Sequence, residues 1–481
     1  DTSETARLRL RNAFAGVPAT NLTRIQLAPL SQTAVENLAN KVGADGKTIF
    51  RQSGGNPFYV TELINNGDSD LPANVQDAVL RRVDRLSESA KRTIRAVAVF
   101  PRRAEISLVL TLSKADDFTG IEETIANGLL IAEGDHWAFR HEIARQAVEI
   151  GLSQFKRRAL NAGLFELLAR ETTVSKARLM HHARAGGNTD RIRELAPEAA
   201  REAQATGAIK QSAEYYEIAL EFRHELPDVD RADLLEAAAG MIGIRSDQLK
   251  AISCLEEALT IRKSLNQTMA CVKVLAMLVR FHWETGDKTA SRTLGDQAIQ
   301  MALGSDSYEL AWACAARAHV AMVDYDFETA LPLGEQAINI ATRHGFSEIE
   351  SHALSSIGMC HWTNQALALS LFERGRAIVV ENKLSQYATR SFTNIAVYLH
   401  EHFRYCEALE AFDLGVNYCE EHDISSGVGL LNSWRAELRE RMGAWDEASS
   451  IAQELLSDKL QHASGRFFCT LLLARISLRR G

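Results

Sequence analysis

Several stretches of this chain hold residue types at spacings that chemistry could use. Gly43-Ala44-Asp45-Gly46-Lys47-Thr48 ends like a phosphate-cradling loop, in which backbone amides and a lysine wrap the phosphates of a nucleotide. Such a loop needs a further glycine at position 41, where this chain has Lys41, and a hydrophobic strand feeding it. Both are missing, so the spacing predicts a plain turn between helices. Ser53-Gly54-Gly55-Asn56-Pro57-Phe58-Tyr59 carries a different signal. Asn56 can accept an orphan amide as an N-cap, Pro57 starts a helix without an amide to satisfy, and the glycines before them make a hinge. The pairs His181-His182 and His400-x-His402 lack the i, i+4 spacing and third ligand that a metal needs. His282-Trp283 and His361-Trp362 recur 79 residues apart and fit packing between repeats better than a ligand platform. No nucleophile, base and orienting group form a recognisable set, so the chain is expected not to be an enzyme.

The elements that would position these residues are mostly helices. Ala219, Ala258, Ala298, Ala337, Ala377, Gly415 and Leu455 follow one another at intervals of 39, 40, 39, 40, 38 and 40, each inside an amphipathic stretch. Units of that length, rich in Ala, Leu and Glu and poor in Pro, predict helix pairs stacked as a tetratricopeptide-like array in a right-handed superhelix. Turns are expected near Gly286-Asp287 and Gly443, and nearly all residues from 176 onward should be helical. Repeat arrays bind partners on extended surfaces. This one is acidic, with 32 Lys and Arg against 41 Asp and Glu from residue 176 on, which disfavours a nucleic-acid backbone. All seven cysteines fall in the array without a CxxC pair, and read as buried thiols in a reducing compartment. Neither an 18-residue apolar run nor a charged-then-apolar leader is present, which predicts a cytoplasmic protein away from membranes.

Residues before the array follow another grammar. Thr23–Ala28 alternates like a short strand, and Ser31 stands where an N-cap belongs, ahead of Val35, Leu38 and Val42. One strand without partners, in a chain starting at Asp1, leads to the expectation that the larger part of this domain lies upstream. Val75 to Leu86 keeps helical spacing, Ser87 caps a helix through Ile94 and Val97, and helices are expected near 105–113 and 119–128. Leu129–Glu133 and His136–Arg140 then flank Gly134-Asp135 as a hairpin. Helices followed by one hairpin make a winged-helix pattern. The helix before the wing is acidic, with Asp116, Asp117, Glu122 and Glu123, so a structural wing is expected rather than a DNA reader.

Gly54–Leu63, Val75–Leu86, Phe139–Val148, His181–Gly186 and Ser212–Tyr216 together resemble the large ATP-binding regulators of the LuxR type, members of the signal-transduction ATPases with numerous domains. The resemblance runs in order through roughly residues 20 to 225, and the later repeats agree only in architecture. It implies a mainly α chain in three parts: the end of an AAA-like ATPase core with its helical lid over 1–68, a winged helix over 69–175, and tetratricopeptide-like repeats over 176–481. It implies a switch between ATP and ADP forms in the intact protein. The lid proline would pack on adenine and a winged-helix histidine would sense the ADP phosphates, which places Gly55, Asn56, Pro57 and His141 at the nucleotide. The array would bind an inducer or partner protein. DNA would be met only through a C-terminal helix-turn-helix that this chain lacks. Without the phosphate loop and the Walker B acid, this chain is expected to bind no nucleotide tightly by itself. Two further readings stay open: the regulatory module of a nucleotide cyclase, and a plain protein-binding scaffold.

Overall fold

The computed structural model describes residues 29–66, 73–115, 117–244, 247–422, 424–457 and 463–480. The strand expected over Thr23–Ala28 lies outside them. Among the described residues there are 25 α-helices, a single turn of 3-10 helix and one three-stranded sheet. Two compact units divide between Leu195 and Ala196. No described helix is long and apolar enough to cross a membrane.

The first unit opens with three helices, α1 (Gln32–Asn40), α2 (Gly46–Ser53) and α3 (Pro57–Asn66), around Val35, Ala39, Ile49 and Val60. Ser31 caps α1 through the Ala34 amide, as its position predicts. The turn at Gly43–Thr48 is settled by Asp45, whose carboxylate accepts from the Lys47 and Thr48 amides and from the Thr48 hydroxyl at 2.6 Å. The amides that would cradle a phosphate therefore already face an acid. Gly46 has a packing role, since a Cβ there would lie 2.5 Å from the Glu36 Cα.

Next come α4 (Ala73–Asp84) and α5 (Glu88–Ala98), then β1 (Arg103–Glu105), α6 (Ile106–Ser113), α7 (Thr119–Ala126), β2 (Leu130–Glu133), β3 (His136–Phe139) and α8 (Glu142–Ile150). The hairpin stands where expected, its strands joined by Gly134 and Asp135, with Gly134 at φ +60°. Sequence reasoning missed β1. Residues 103–105 form a strand rather than the start of a helix, pairing antiparallel to β3 with Ala104 opposite Trp137, so the sheet order is β1-β3-β2. A three-residue strand carries too few alternating positions to show as a period. α9 (Gln154–Leu168) and α10 (Lys176–Gly186) complete the unit before α11 (Thr189–Ala205), inside which the boundary falls. His182 on α10 is a fully buried core side chain whose Nδ1 lies 2.9 Å from Asn161 Oδ1.

The second unit is a run of antiparallel helix pairs from α12 (Ile209–Glu221) to α25 (Ala463–Arg480), with no strand among its described residues. It is a tetratricopeptide-like helical-repeat fold, with helices mostly longer than those of the 34-residue consensus unit. Within it α13 (Asp228–Ile244), α15 (Thr268–Glu284), α17 (Tyr308–Val323), α19 (Ser347–Cys360), α21 (Ser385–Glu401) and α23 (Ser425–Arg441) alternate with α14 (Gln248–Ser264), α16 (Lys288–Met301), α18 (Phe327–His344), α20 (Gln365–Glu381), α22 (Tyr405–Glu421) and α24 (Trp445–Ser457). Helices α15, α17, α19, α21 and α23 run alongside one another, whereas α16, α18, α20 and α22 do not. The first set therefore forms the inner layer of the array.

Close approach within each pair comes from small residues. Ser212, Ala251, Ser291, Ala330, Ala368, Ala408 and Ala448 are all fully buried, each twelve positions after a second small or slim buried residue: Ala200, Ala239, Val279, Ala318, Ser356, Ala396 and Ala436. Ser212 and Ser291 donate to the carbonyls of those partners, Ala200 and Val279, at 2.9 and 2.7 Å. The phase taken from Ala219, Ala258, Ala298, Ala337 and Gly415 is thus sound, two turns further along the same helices. Ala377 does not belong to it. That residue is exposed, and the buried small residue seven positions after Ala368 is Gly375. Leu455 occupies the register but is only half-buried, next to the fully buried Ala452. Turns fall at Gly286 and Gly443, at φ +87° and +85°. Six of the seven cysteines are buried, and Cys406, expected inside, is exposed.

Candidate functional site

The candidate site is the turn between α2 and α3 with the start of α8 against it. Gly54 ends α2 in the left-handed region at φ +57°, donating its amide to the Phe50 carbonyl at 2.8 Å. Gly55 follows at φ +74°, where a Cβ would lie 2.2 Å from the Leu30 carbonyl oxygen. Only glycine fits there. The Leu30 amide donates to the Gly55 carbonyl at 2.8 Å, and Ser53 Oγ accepts from the Gly55 amide at 3.2 Å. Asn56 accepts from the Phe58 amide at 3.1 Å and so caps α3, as its residue type predicts. Pro57 is exposed at the first helical position beside a half-exposed Phe58, while Tyr59 and Val60 are buried.

His141 is the residue before α8, with extended backbone and no capping bond from its side chain. Its ring meets Tyr59 edge-on at 5.3 Å between centroids. A Cβ on Gly54 would approach its Nδ1 to 3.0 Å, so the glycine makes room for the imidazole. His141 therefore packs against Gly54 and Tyr59 rather than against Gly55 or Asn56. Burial pushes its pKa down to about 4, the Arg140 and Arg82 charges add to this, and the Ser53 carbonyl opposes them. The imidazole is neutral at pH 7, with Nδ1 buried and unpartnered among the described residues. Arg82 donates to the Asn127 carbonyl at 2.6 Å and lies near the Tyr59 hydroxyl, which burial shifts upward. Arg140 is exposed, without an ion-pair partner among the described residues.

Of the four residues expected here, Gly55 and Asn56 have complete structural roles, Pro57 presents a free ring face, and His141 is drawn in beside them. Tyr59, Arg82 and Arg140 escaped sequence reasoning. Arg140 adjoins His141 and could have been found by proximity, but Arg82 is placed only by the docking of α4 against α8. The arrangement joins exposed flat apolar faces, two guanidinium groups and a neutral imidazole.

No protein-family model matches this sequence, and no curated protein matches it either. Among solved structures, it is similar to a signal-transduction ATPase with numerous domains bearing a tetratricopeptide repeat sensor from Pyrococcus horikoshii, at 14% identity and a TM-score of 0.39, over 97% of this chain and 72% of that one. It is also similar to a Rap protein complexed with competence and sporulation factor, at 13% identity and a TM-score of 0.46, over 79% of this chain and 97% of that one. Apo RapI aligns at 13% identity and a TM-score of 0.45, over 56% of this chain and 99% of that one. The repeat fold itself rests on the helix pairing described above.

The histidine pairs sit in packing. His182 belongs to the core, His400 is fully buried, and His402 bonds the Tyr398 and Trp362 carbonyls at 2.8 and 2.9 Å. The repeated His-Trp pairs pack between repeats: Trp283 meets His319 at 5.5 Å and Trp362 meets His402 at 4.4 Å.

Proposed function

We propose that this chain is the regulatory and sensor portion of a nucleotide-gated transcription regulator that works in the cytoplasm. In this reading α1 to α3 are the lid of an AAA-like ATPase, and the segment from α4 to α8, with its β1-β3-β2 sheet, is a winged helix. ATP or ADP would lie against the turn at Gly55, Asn56 and Pro57 with His141 beneath. The observation that carries it is the wedge of His141 against Gly54, three residues before the exposed Pro57.

The residues present fit such a ligand. Pro57 and Phe58 offer apolar faces to a base, and the exposed Arg140 offers charge to phosphates. A neutral imidazole donates one hydrogen bond, which in this reading would pass from the Ser53 carbonyl to a phosphate oxygen when nucleotide binds. In this reading the chain would supply no hydrolysis, which is supported by the engagement of the Lys47 and Thr48 amides with the Asp45 carboxylate. The helical-repeat unit would receive an inducer or a partner protein, and DNA would be reached only through a separate module. A plain scaffold is the second reading, favoured by the complete structural employment of Gly55 and Asn56 without any ligand.

The test is His141→Ala in the full-length protein. Loss of one hydrogen bond to a charged group, about 1.5 to 3 kcal/mol, should weaken ADP binding and raise inducer-free output by roughly ten- to a hundredfold. Unchanged ADP affinity and unchanged output, in a folded variant, would return His141 to structure and leave the scaffold reading.

A further inference from the structure

The inner layer of the array holds a guanidinium with no carboxylate partner among the described residues. Arg390 on α21 reaches across α19 to His319 on α17, 71 residues earlier, and contacts its Nδ1 at 2.9 Å through Nη2. The same nitrogen donates to Ser356 Oγ at 2.8 Å. Nη1 lies 2.8 and 2.9 Å from both ring nitrogens of His352. In-plane lone pairs on one imidazole diverge, so a nitrogen equidistant from both stands over the ring face. A side chain that bonds α17 and α19 from α21 must lie along the inner surface of these helices. Arg390, His319 and His352 each keep some exposure there.

All these partners are neutral. Among the described residues no carboxylate comes within ion-pair distance of Arg390, and nothing offsets the burial that pulls its pKa down to about 10. Both histidines are held well below their ordinary range by burial, then by Arg390, with Arg280 adding to the positive field. Glu348, at the start of α19, is engaged by the hydroxyl of Tyr308 at the start of α17. Partly buried positive charge normally comes paired, because desolvation otherwise costs more than neutral acceptors return. Indole rings flank the cluster: Trp283 meets His319, and Trp312 meets His352, both at 5.5 Å.

We propose that this inner face, between α15 and α21, binds a small organic anion, with Arg390 holding its oxyanion and Trp283 and Trp312 flanking an apolar body. The proposal rests on the reading of the array as a sensor, and it names the ligand class. Nucleotide gating at His141 is read by ADP affinity and inducer-free output, neither of which needs an anion on the array, so either idea can fail without the other.

Tryptophan fluorescence and thermal melts of this chain test it, with benzoate, phenyl phosphate, inorganic phosphate and neutral benzamide as probes. At least one aryl anion should saturate and raise the melting temperature, with benzamide and inorganic phosphate weaker by about tenfold or more. The contrast between benzoate and phenyl phosphate tells a carboxylate ligand from a phosphate ester. Arg390→Gln should lose about tenfold or more in anion affinity and melt higher than wild type without a probe. Arg390→Met offers the same test if the glutamine variant misfolds. Benzamide binding as tightly as benzoate, no saturation by either aryl anion, or a variant that melts lower and binds anions as before would each overturn the site.

Discussion

At the scale of residues, two kinds of side chain decide stability. His182 donates through Nδ1 to Asn161, whose Nδ2 is turned to the Arg157 carbonyl at 2.9 Å, so Nε2 is left without a partner in the core. Burial, then the neighbouring His181, pushes its pKa down to about 3. An imidazole that resists protonation when folded takes up its proton first in the unfolded chain. Stability should therefore hold above the unfolded value of about 6.5 and fall as pH drops toward the folded value, by at most about 1.4 kcal/mol per pH unit for each such histidine. Urea unfolding at pH 7 and pH 5 reads this: wild type should weaken and His182→Gln should weaken less. Equal losses in the two proteins would place the acid sensitivity elsewhere. The hinge glycines give a second ranking. Gly55→Ala meets the Leu30 carbonyl at 2.2 Å, whereas Gly54→Ala meets only the edge of His141 at 3.0 Å. Both carry left-handed strain of roughly 1–2 kcal/mol, and the clash at Gly55 should add at least as much again. A Gly54 variant that melts lower than the Gly55 variant would contradict that ordering.

At the scale of elements, the pairing of helices through small residues separates the two phases. Ala368 and Ala377 lie on the same helix, one fully buried and the other exposed. Ala368→Leu should destabilise by about 1–3 kcal/mol through overpacking against α19, while Ala377→Leu should stay within about 0.5 kcal/mol. Denaturant midpoints of the two variants check this, and a reversed order would restore the phase that includes Ala377.

At the scale of the whole molecule, each helix pair of the array touches mainly its neighbours, so stability is a sum of local terms. The end of the array has its own cluster, of Ala436 on α23, Ala448 and Ala452 on α24, and Cys469, Leu472 and Ile476 on α25, apart from the one around Phe372 and Phe412. An aspartate at Ala452 would bury an unpaired charge there and should fray α24 and α25 alone. Hydrogen exchange should then show lost protection over 445–480 and unchanged protection over α17 and α19. Loss of protection across the entire array would mean one cooperative core instead of stacked units.

The period of 38 to 40 residues, the caps at Ser31, Asn56 and Ser87, and the hairpin at Gly134 were legible in the chain alone, because each is a local rule of spacing or of backbone satisfaction. Periodicity also told which face of a helix turns inward, though it mistook Ala377 for Gly375, since two residues of drift in one repeat leave the average interval unchanged. β1 was too short to announce itself. Tertiary structure alone placed Arg82 at His141 and assembled Arg390 with His319 and His352. Those last three stand six before Ala396, one after Ala318 and four before Ser356, at different positions in their repeats, so no period links them. Only the side-by-side packing of α17, α19 and α21 carries an arginine across 71 residues of chain to a histidine, because a long side chain reaches whatever the neighbouring helix surfaces bring near it.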